Sequence, residues 1–394
     1  MTEERKEGVG LALSGGGFRA TLFHIGGLWR LNELGWLKKL TEVTSVSGGS
    51  IAATYLGLRW KDLSFNGDDV ATNFDDVVVG PLREFCSRTV DAWSILAGLL
   101  TPFRLSSSYL ARYYRRRLFD DATLQNLPSE NEGPLFTIYA TNLQTGVSFR
   151  LSKPYLADYR LGKVDEPGIE LATAVAASSA FPPFLCPVIL KFDPEDWGWF
   201  KETDKKTGKE IDKKPELFDE VNLRKKVYLG DGGIYDNLGL ERVQDRLTTV
   251  LVSDAGAPFK DLKSPRKSKL LRLSLFFRLL RTLKITVEQT RSLRKRWLIG
   301  DYIHDEMDGT YWGIVSKVAS YKLEENNLPG PIVKDSETTK ELCTEKTRLK
   351  GFGSEKQEQL INWGYALADA AMRRHVLGKG AEPGELPYPE RLVR

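Results

Sequence analysis

The 394-residue chain reads as an α/β protein with a mostly parallel central sheet. Three observations predict this. Short apolar runs alternate with helical patterns at the start, in the order strand, helix, strand, helix, which requires right-handed crossovers and parallel pairing. Glycine-rich turns, LSGGGFRA and SVSGGS, join each of these strands to the helix that follows. The composition, 41% hydrophobic and 28% charged, is that of a globular protein long enough to bury a full core.

VGLAL (Val9 to Leu13) is the first strand. Leu22, Ile25, Leu28, Trp29, Leu31 and Leu34 recur at helical spacing after it, with Gly35 as a stop. EVTSV is the second strand and SIAATYLGLRW the second helix. Residues 60–130 break the alternation as a helical, arginine- and aromatic-rich insertion. Strand character resumes in LFTIYATNL and GVSFRLS, joined by a turn at Gly146. IELATAVAASSAFPPFL is a helix stopped by Pro182 and Pro183. A charged loop covers about 200–220. VYLGDGGIYDN is a strand entering a glycine turn, and TTVLVSDAG a buried strand. A basic helical region spans about 260–300, and a final amphipathic helix, opened by Ser354 with Gln357 three residues on, about 354–376. The reading is one domain over 1–394, with its core at about 8–255.

Composition narrows the function. A net charge of +4 is too small to imply nucleic-acid binding. Cys86, Cys186 and Cys343 are far apart with no CxxC pair, which fits neither a zinc site nor a disulfide framework and suits a reducing compartment. The charged N-terminus does not resemble a signal peptide. Trp93 to Phe103 is the most apolar surface candidate, far short of the ~20 residues that a span needs. The expectation is a cytoplasmic protein that touches a membrane without crossing it.

The loop Gly15-Gly16-Gly17 crowds backbone N–H groups at a helix start, where they can hold an anion. A P-loop would need Gly-Lys-Ser/Thr next, but Phe18 and Arg19 follow. Gly15, Gly17 and Ala20 spell a dinucleotide fingerprint, yet the second strand ends at Val46–Ser47 without the ribose-binding acid. An oxyanion hole fits, and so does a plain tight turn. A nucleophile elbow needs small residues two before and two after its serine. Ser47 and Ser50 both satisfy this. Ser47 caps the strand and Gly48 opens the helix, whereas Ser50 falls inside the first helical turn, so Ser47 is preferred.

No histidine suits as the base. His24 is mid-helix between Phe23 and Ile25, His304 lies in an acidic stretch, and His375 ends a basic helix. Asp231, in GDGG, could take the serine proton directly. It could equally cap a turn.

Taken together, SGGGFR, SVSGG, AVAASSAFPPF and DGGIYDN, spread over Val9 to Asp254, resemble the patatin-like phospholipase family. The resemblance implies a three-layer α/β/α sandwich and acyl-ester hydrolysis of lipids by a Ser–Asp dyad, without histidine, metal or cofactor. It implies Ser47 as nucleophile, Asp231 as base and the backbone N–H groups of Gly15, Gly16 and Gly17 as oxyanion donors. Arg19 would steady the loop or a phosphate, with Gly48, Gly49, Gly232 and Gly233 in support. Ser45 and Ala20 depart from the family pattern, which commonly has Gly at both. The implied partner is membrane phospholipid or another acyl lipid. Some bacterial members are membrane-degrading effectors switched on by cyclic nucleotides, so such an activator is a further implied partner, although no residue here marks a site for it. The alternative is a catalytically silent scaffold that binds lipid or a partner.

From Lys260 to Arg296, thirteen Lys or Arg stand against two acids. The stretch KLLRLSLFFRLLRTLKI reads first as a helix packed on the core with a solvated basic face. It reads second as a surface helix drawn to anionic lipid, with Phe276 and Phe277 entering the interface. The tyrosine–arginine run near Arg115 divides the same way between packing and surface, with nucleic-acid binding as a third reading. Trp93 to Phe103 would line an acyl channel or pack the insertion.

Overall fold

The computed structural model describes residues 5–90, 104–183, 185–203, 210–259, 261–262, 274–346 and 349–391. The predicted alternation opens the chain as β1 (Lys6–Leu13), α1 (Gly17–Glu33), β2 (Leu40–Val46) and α2 (Gly48–Leu58). The insertion contributes α3 (Gly80–Ser87) and α4 (Arg104–Tyr114). Then come β3 (Leu135–Asn142), β4 (Ser148–Ser152), β5 (Tyr155–Asp158), β6 (Gly162–Asp165), α5 (Leu171–Ser178), β7 (Val188–Lys191) and β8 (Trp197–Gly198). A small hairpin, β9 (Glu202–Thr203) and β10 (Glu210–Ile211), lies within the charged loop. The last part holds β11 (Lys226–Asp231), α6 (Glu241–Arg246), β12 (Leu247–Asp254), α7 (Leu275–Ile303), β13 (Asp308–Gly313) and α8 (Ser354–Met372).

Five strands form the parallel core, in the order β13-β12-β1-β2-β3. An antiparallel wing, β4-β5-β6-β8, extends it past β3. The two-residue periodicity of the core strands builds a layer on each face. Leu11 and Leu13 of β1 and Leu251 of β12 enter a large core with residues of α1, α2 and α8. Ala12, Val250 and Val252 point the other way, into a smaller core with Val243 of α6 and Leu298 of α7. The result is the expected helix–sheet–helix sandwich.

Helix α1 is nearly all buried because α8 lies directly against it. A Cβ on Gly26 would sit 1.9 Å from the Ile361 carbonyl oxygen, and one on Gly364 1.9 Å from that of Phe23. The two backbones are therefore in contact, and a side chain at either glycine would part them.

β11, which ends at Asp231, joins the sheet antiparallel to both β3 and β7. One expectation is corrected. The basic stretch was read first as a core-packed helix. In α7 only Arg291, Leu298 and Asp301 are buried. Its apolar residues fall all around the helix rather than in one stripe, so one face cannot bury them. Near Arg115 packing wins: Tyr114 is fully buried against Phe85, with ring centroids 5.9 Å apart, while Arg115 pairs with Asp121 at the surface. Trp93 to Phe103 lies outside the described residues. Among the described residues no helix is long and apolar enough to cross a membrane.

Gly364→Val is expected to cost about 3 kcal/mol, the upper range for overpacking a tight core. A urea-unfolding midpoint close to that of wild type would contradict the close α1–α8 contact.

Candidate active site

The site comes from a strand collision. Val46 ends β2 beside Tyr139 of β3, and Asp231 ends β11 beside Ala140. The two strands approach from opposite directions along the same edge of β3 and stop at adjacent registers. Their end residues become neighbours although almost half the chain separates them.

β2 cannot continue past Val46, so the chain turns sharply into α2. Ser47 makes the turn at φ 51°, ψ −116°, a conformation that costs a non-glycine residue energy and carries its side chain out at the strand end. Its carbonyl accepts from Ser50 N at 2.9 Å and Ile51 N at 3.2 Å, starting the helix. Ser50 is fully buried in that first turn and bonds the Ser178 hydroxyl at 2.9 Å. Ser47 stands at the turn itself, and Ser50 stands inside the helix.

Asp231 is almost wholly buried. Its Oδ1 accepts from Gly233 N at 2.7 Å, and the Ser47 side chain lies near enough to lower the carboxyl. Burial pushes the carboxyl up to about 7, while these two neighbours hold it down. The histidines stand elsewhere. His24 is fully buried, with Nδ1 2.7 Å from Ser253 Oγ and Nε2 2.9 Å from the Ser14 carbonyl, and burial lowers it to about 4. His304 is exposed at the end of α7, and His375 packs on Tyr321.

The triple-glycine loop closes over the elbow. A Cβ on Gly15 would sit 3.2 Å from Ser47 Cβ, and one on Gly48 2.2 Å from the Gly17 carbonyl oxygen. Gly16 and Gly17 hold φ of 151° and 62°, which only glycine adopts readily. Gly15 differs from its neighbours, because its N–H donates to the Asn237 carbonyl at 3.1 Å. That engagement corrects the expectation that all three amides are free. Arg19 is fully buried and donates to the carbonyls of Cys343 at 3.0 Å, Glu345 at 2.9 Å and Ala255. Its guanidinium is thus committed to backbone, which suits steadying the loop rather than meeting a phosphate.

The family model for patatin-like phospholipases matches residues 11–243, more than half of the chain. The chain belongs to the patatin-like phospholipase family. Among solved structures, this patatin-like chain is similar to human GIVD cytosolic phospholipase A2 in complex with methyl gamma-linolenyl fluorophosphonate. The identity is 15% and the TM-score 0.47, over 92% of this chain and 57% of that one. A further structure of the human GIVD protein is 16% identical, with a TM-score of 0.40, over 68% of this chain and 45% of that one. VipD from Legionella pneumophila is 15% identical, with a TM-score of 0.35, over 93% of this chain and 66% of that one. The patatin-like chain therefore spans about half the length of the human structures. No curated protein matches it.

One residue at the patatin-like site escaped the sequence. The Ser178 hydroxyl accepts from Ser47 N at 2.9 Å, and its carbonyl accepts from Gly232 N at 3.2 Å. The Ala180 carbonyl takes Asp231 N at 2.9 Å. The end of α5 thus braces both halves of the site. The small-residue run AVAASSAF announced close packing there, but nothing singled out Ser178 from Ser179.

Replacing Ser47 by Gly rather than Ala is expected to raise stability by about 1 kcal/mol, because Gly relieves the positive φ that Ala retains. Equal unfolding midpoints for the two variants would show that the elbow carries no strain.

Proposed function

We propose that the protein is a lipid acyl hydrolase of the phospholipase A type, cleaving fatty-acyl esters of membrane lipids with Ser47 as nucleophile and Asp231 as general base. The observation that carries this reading is the Ser47 side chain, on a strained elbow, beside the buried Asp231 carboxyl raised to about 7. A carboxylate so raised accepts a proton far more readily than an ordinary one near neutral pH. Membership of the patatin-like phospholipase family supports the lipid ester as substrate class.

In this mechanism Asp231 takes the Ser47 proton as the oxygen attacks the ester carbonyl carbon. The N–H groups of Gly16 and Gly17, orphan donors at the start of α1, hold the developing oxyanion. Collapse breaks the ester bond, and the leaving lysolipid oxygen receives the proton from Asp231. Water, deprotonated by Asp231, then attacks the acyl-enzyme. Fatty acid leaves and Ser47 recovers its proton. Gly48, Gly49, Gly232 and Gly233 let the backbones close around this centre, since a Cβ on Gly49 would meet the Leu13 carbonyl oxygen at 2.3 Å and one on Gly232 that of Tyr139 at 2.4 Å. The protein works at an anionic membrane surface, with the long basic helix α7 as its contact.

Fatty-acid release from phospholipid is expected to fall by at least about a thousandfold in Ser47→Ala and Asp231→Asn, with Ser50→Ala retaining activity if it folds. Full activity in Ser47→Ala overturns the assignment. The base must be ionised to act. The kcat/KM profile is therefore expected to fall on the acid side with a midpoint at about 7. A profile flat from pH 5 to 8 would remove Asp231 as the base.

A further inference from the structure

We infer that the N-terminal half of α7 is a prong that seats the catalytic edge on an anionic lipid surface. This rests on the lipid-hydrolase reading and adds to it a direction and a set of residues.

The helix is rooted at the edge of the sheet where Ser47 stands. Tyr302, near its C-terminus, donates to the Val250 carbonyl at 2.7 Å, partway along β12. Eleven residues earlier, Arg291 Nε and Nη2 donate to Asp254 Oδ2, the end of β12, at 3.0 and 2.8 Å. Arg294 approaches Asp236 at 3.6 Å and lies over the Tyr235 ring, in the segment that follows Asp231. So α7 climbs along β12, and at Arg291 it has reached the strand's C-terminal edge. The sixteen residues from Arg291 back to Leu275 continue beyond it for roughly 24 Å. Arg281 rests on Phe259, itself 40% exposed, in the segment that leaves β12.

That projecting half has the chemistry of an interfacial helix. Leu275 is 63% exposed, Leu279 61%, Phe276 44% and Phe277 41%. Arg278, Arg281 and Lys284 lie among them, and no acid occurs before Glu288. A second protein copy would need one apolar seam. Here Phe277 and Leu279 sit about 200° apart around the helix, and the outward row continues through Thr282 and Thr286. Exposed apolar groups interleaved with cations suit contact with acyl chains beneath anionic headgroups.

The test is co-sedimentation with phosphatidylcholine vesicles made with and without phosphatidylglycerol. Beside it runs hydrolysis of vesicle lipid and of a soluble short-chain ester. Wild type is expected to pellet with the anionic vesicles. The Leu275→Ser/Phe277→Ser/Leu279→Ser variant and the Arg278→Gln/Lys284→Gln variant are expected to lose about tenfold or more of that binding and of vesicle-lipid hydrolysis, with soluble-ester hydrolysis unchanged. Undiminished pelleting of the triple variant overturns the proposal. So does a wild-type dimer in analytical ultracentrifugation that the triple variant dissolves while vesicle binding is absent. Vesicle binding does not depend on Ser47, so failure of the hydrolase reading would show separately, as ester hydrolysis indifferent to Ser47→Ala.

Discussion

Everything at the site depends on two strands sharing one edge of β3. β2 uses the lower part of that edge and β11, running the other way, the upper part. Neither can pass the other, so each must leave the sheet where they meet. The forced exit of β2 produces the strained elbow at Ser47, and the forced end of β11 leaves Asp231 facing it. Hydrogen bonds to β3 fix both strands, so the hydroxyl and the carboxylate are held by the sheet rather than by a loop. Such pre-organisation lowers the cost of reaching a reactive geometry.

Burial then sets the chemistry. Asp231 lies inside the sandwich, where the Gly233 amide and the nearby Ser47 side chain do not offset the lost solvation. The carboxyl is therefore poised near neutrality, the range that histidine occupies in histidine-based serine hydrolases. His24 lies behind the glycine loop, locked between Ser14 and Ser253 and lowered by the same burial. One physical effect, desolvation, raises the acid into the useful range and takes the histidine out of it.

Much of this was legible in the sequence. β1, α1, β2 and α2 follow from apolar periodicity and glycine turns, and Ser47 from the point where β-branched residues stop. The direction of β11 was not legible, because a short strand such as KVYLGD looks the same in either pairing. Neither was the engagement of the Gly15 amide, which depends on Asn237 arriving from the far side of the chain. Ser178 was hidden for the same reason, since its partners Ser47 and Gly232 are remote in sequence. The exposure of α7 came only as a second reading, because helical spacing of leucines signals burial only when they share a face.

The central claim is that Ser47 is a nucleophile made reactive by Asp231. Its most direct test is reaction with an alkyl fluorophosphonate, followed by peptide mapping of the intact adduct by mass spectrometry. The account requires one adduct per chain, on the peptide carrying Ser47, formed much more slowly in Asp231→Asn at pH 8. An adduct on another residue, or a folded wild-type chain that takes up no label, would contradict it.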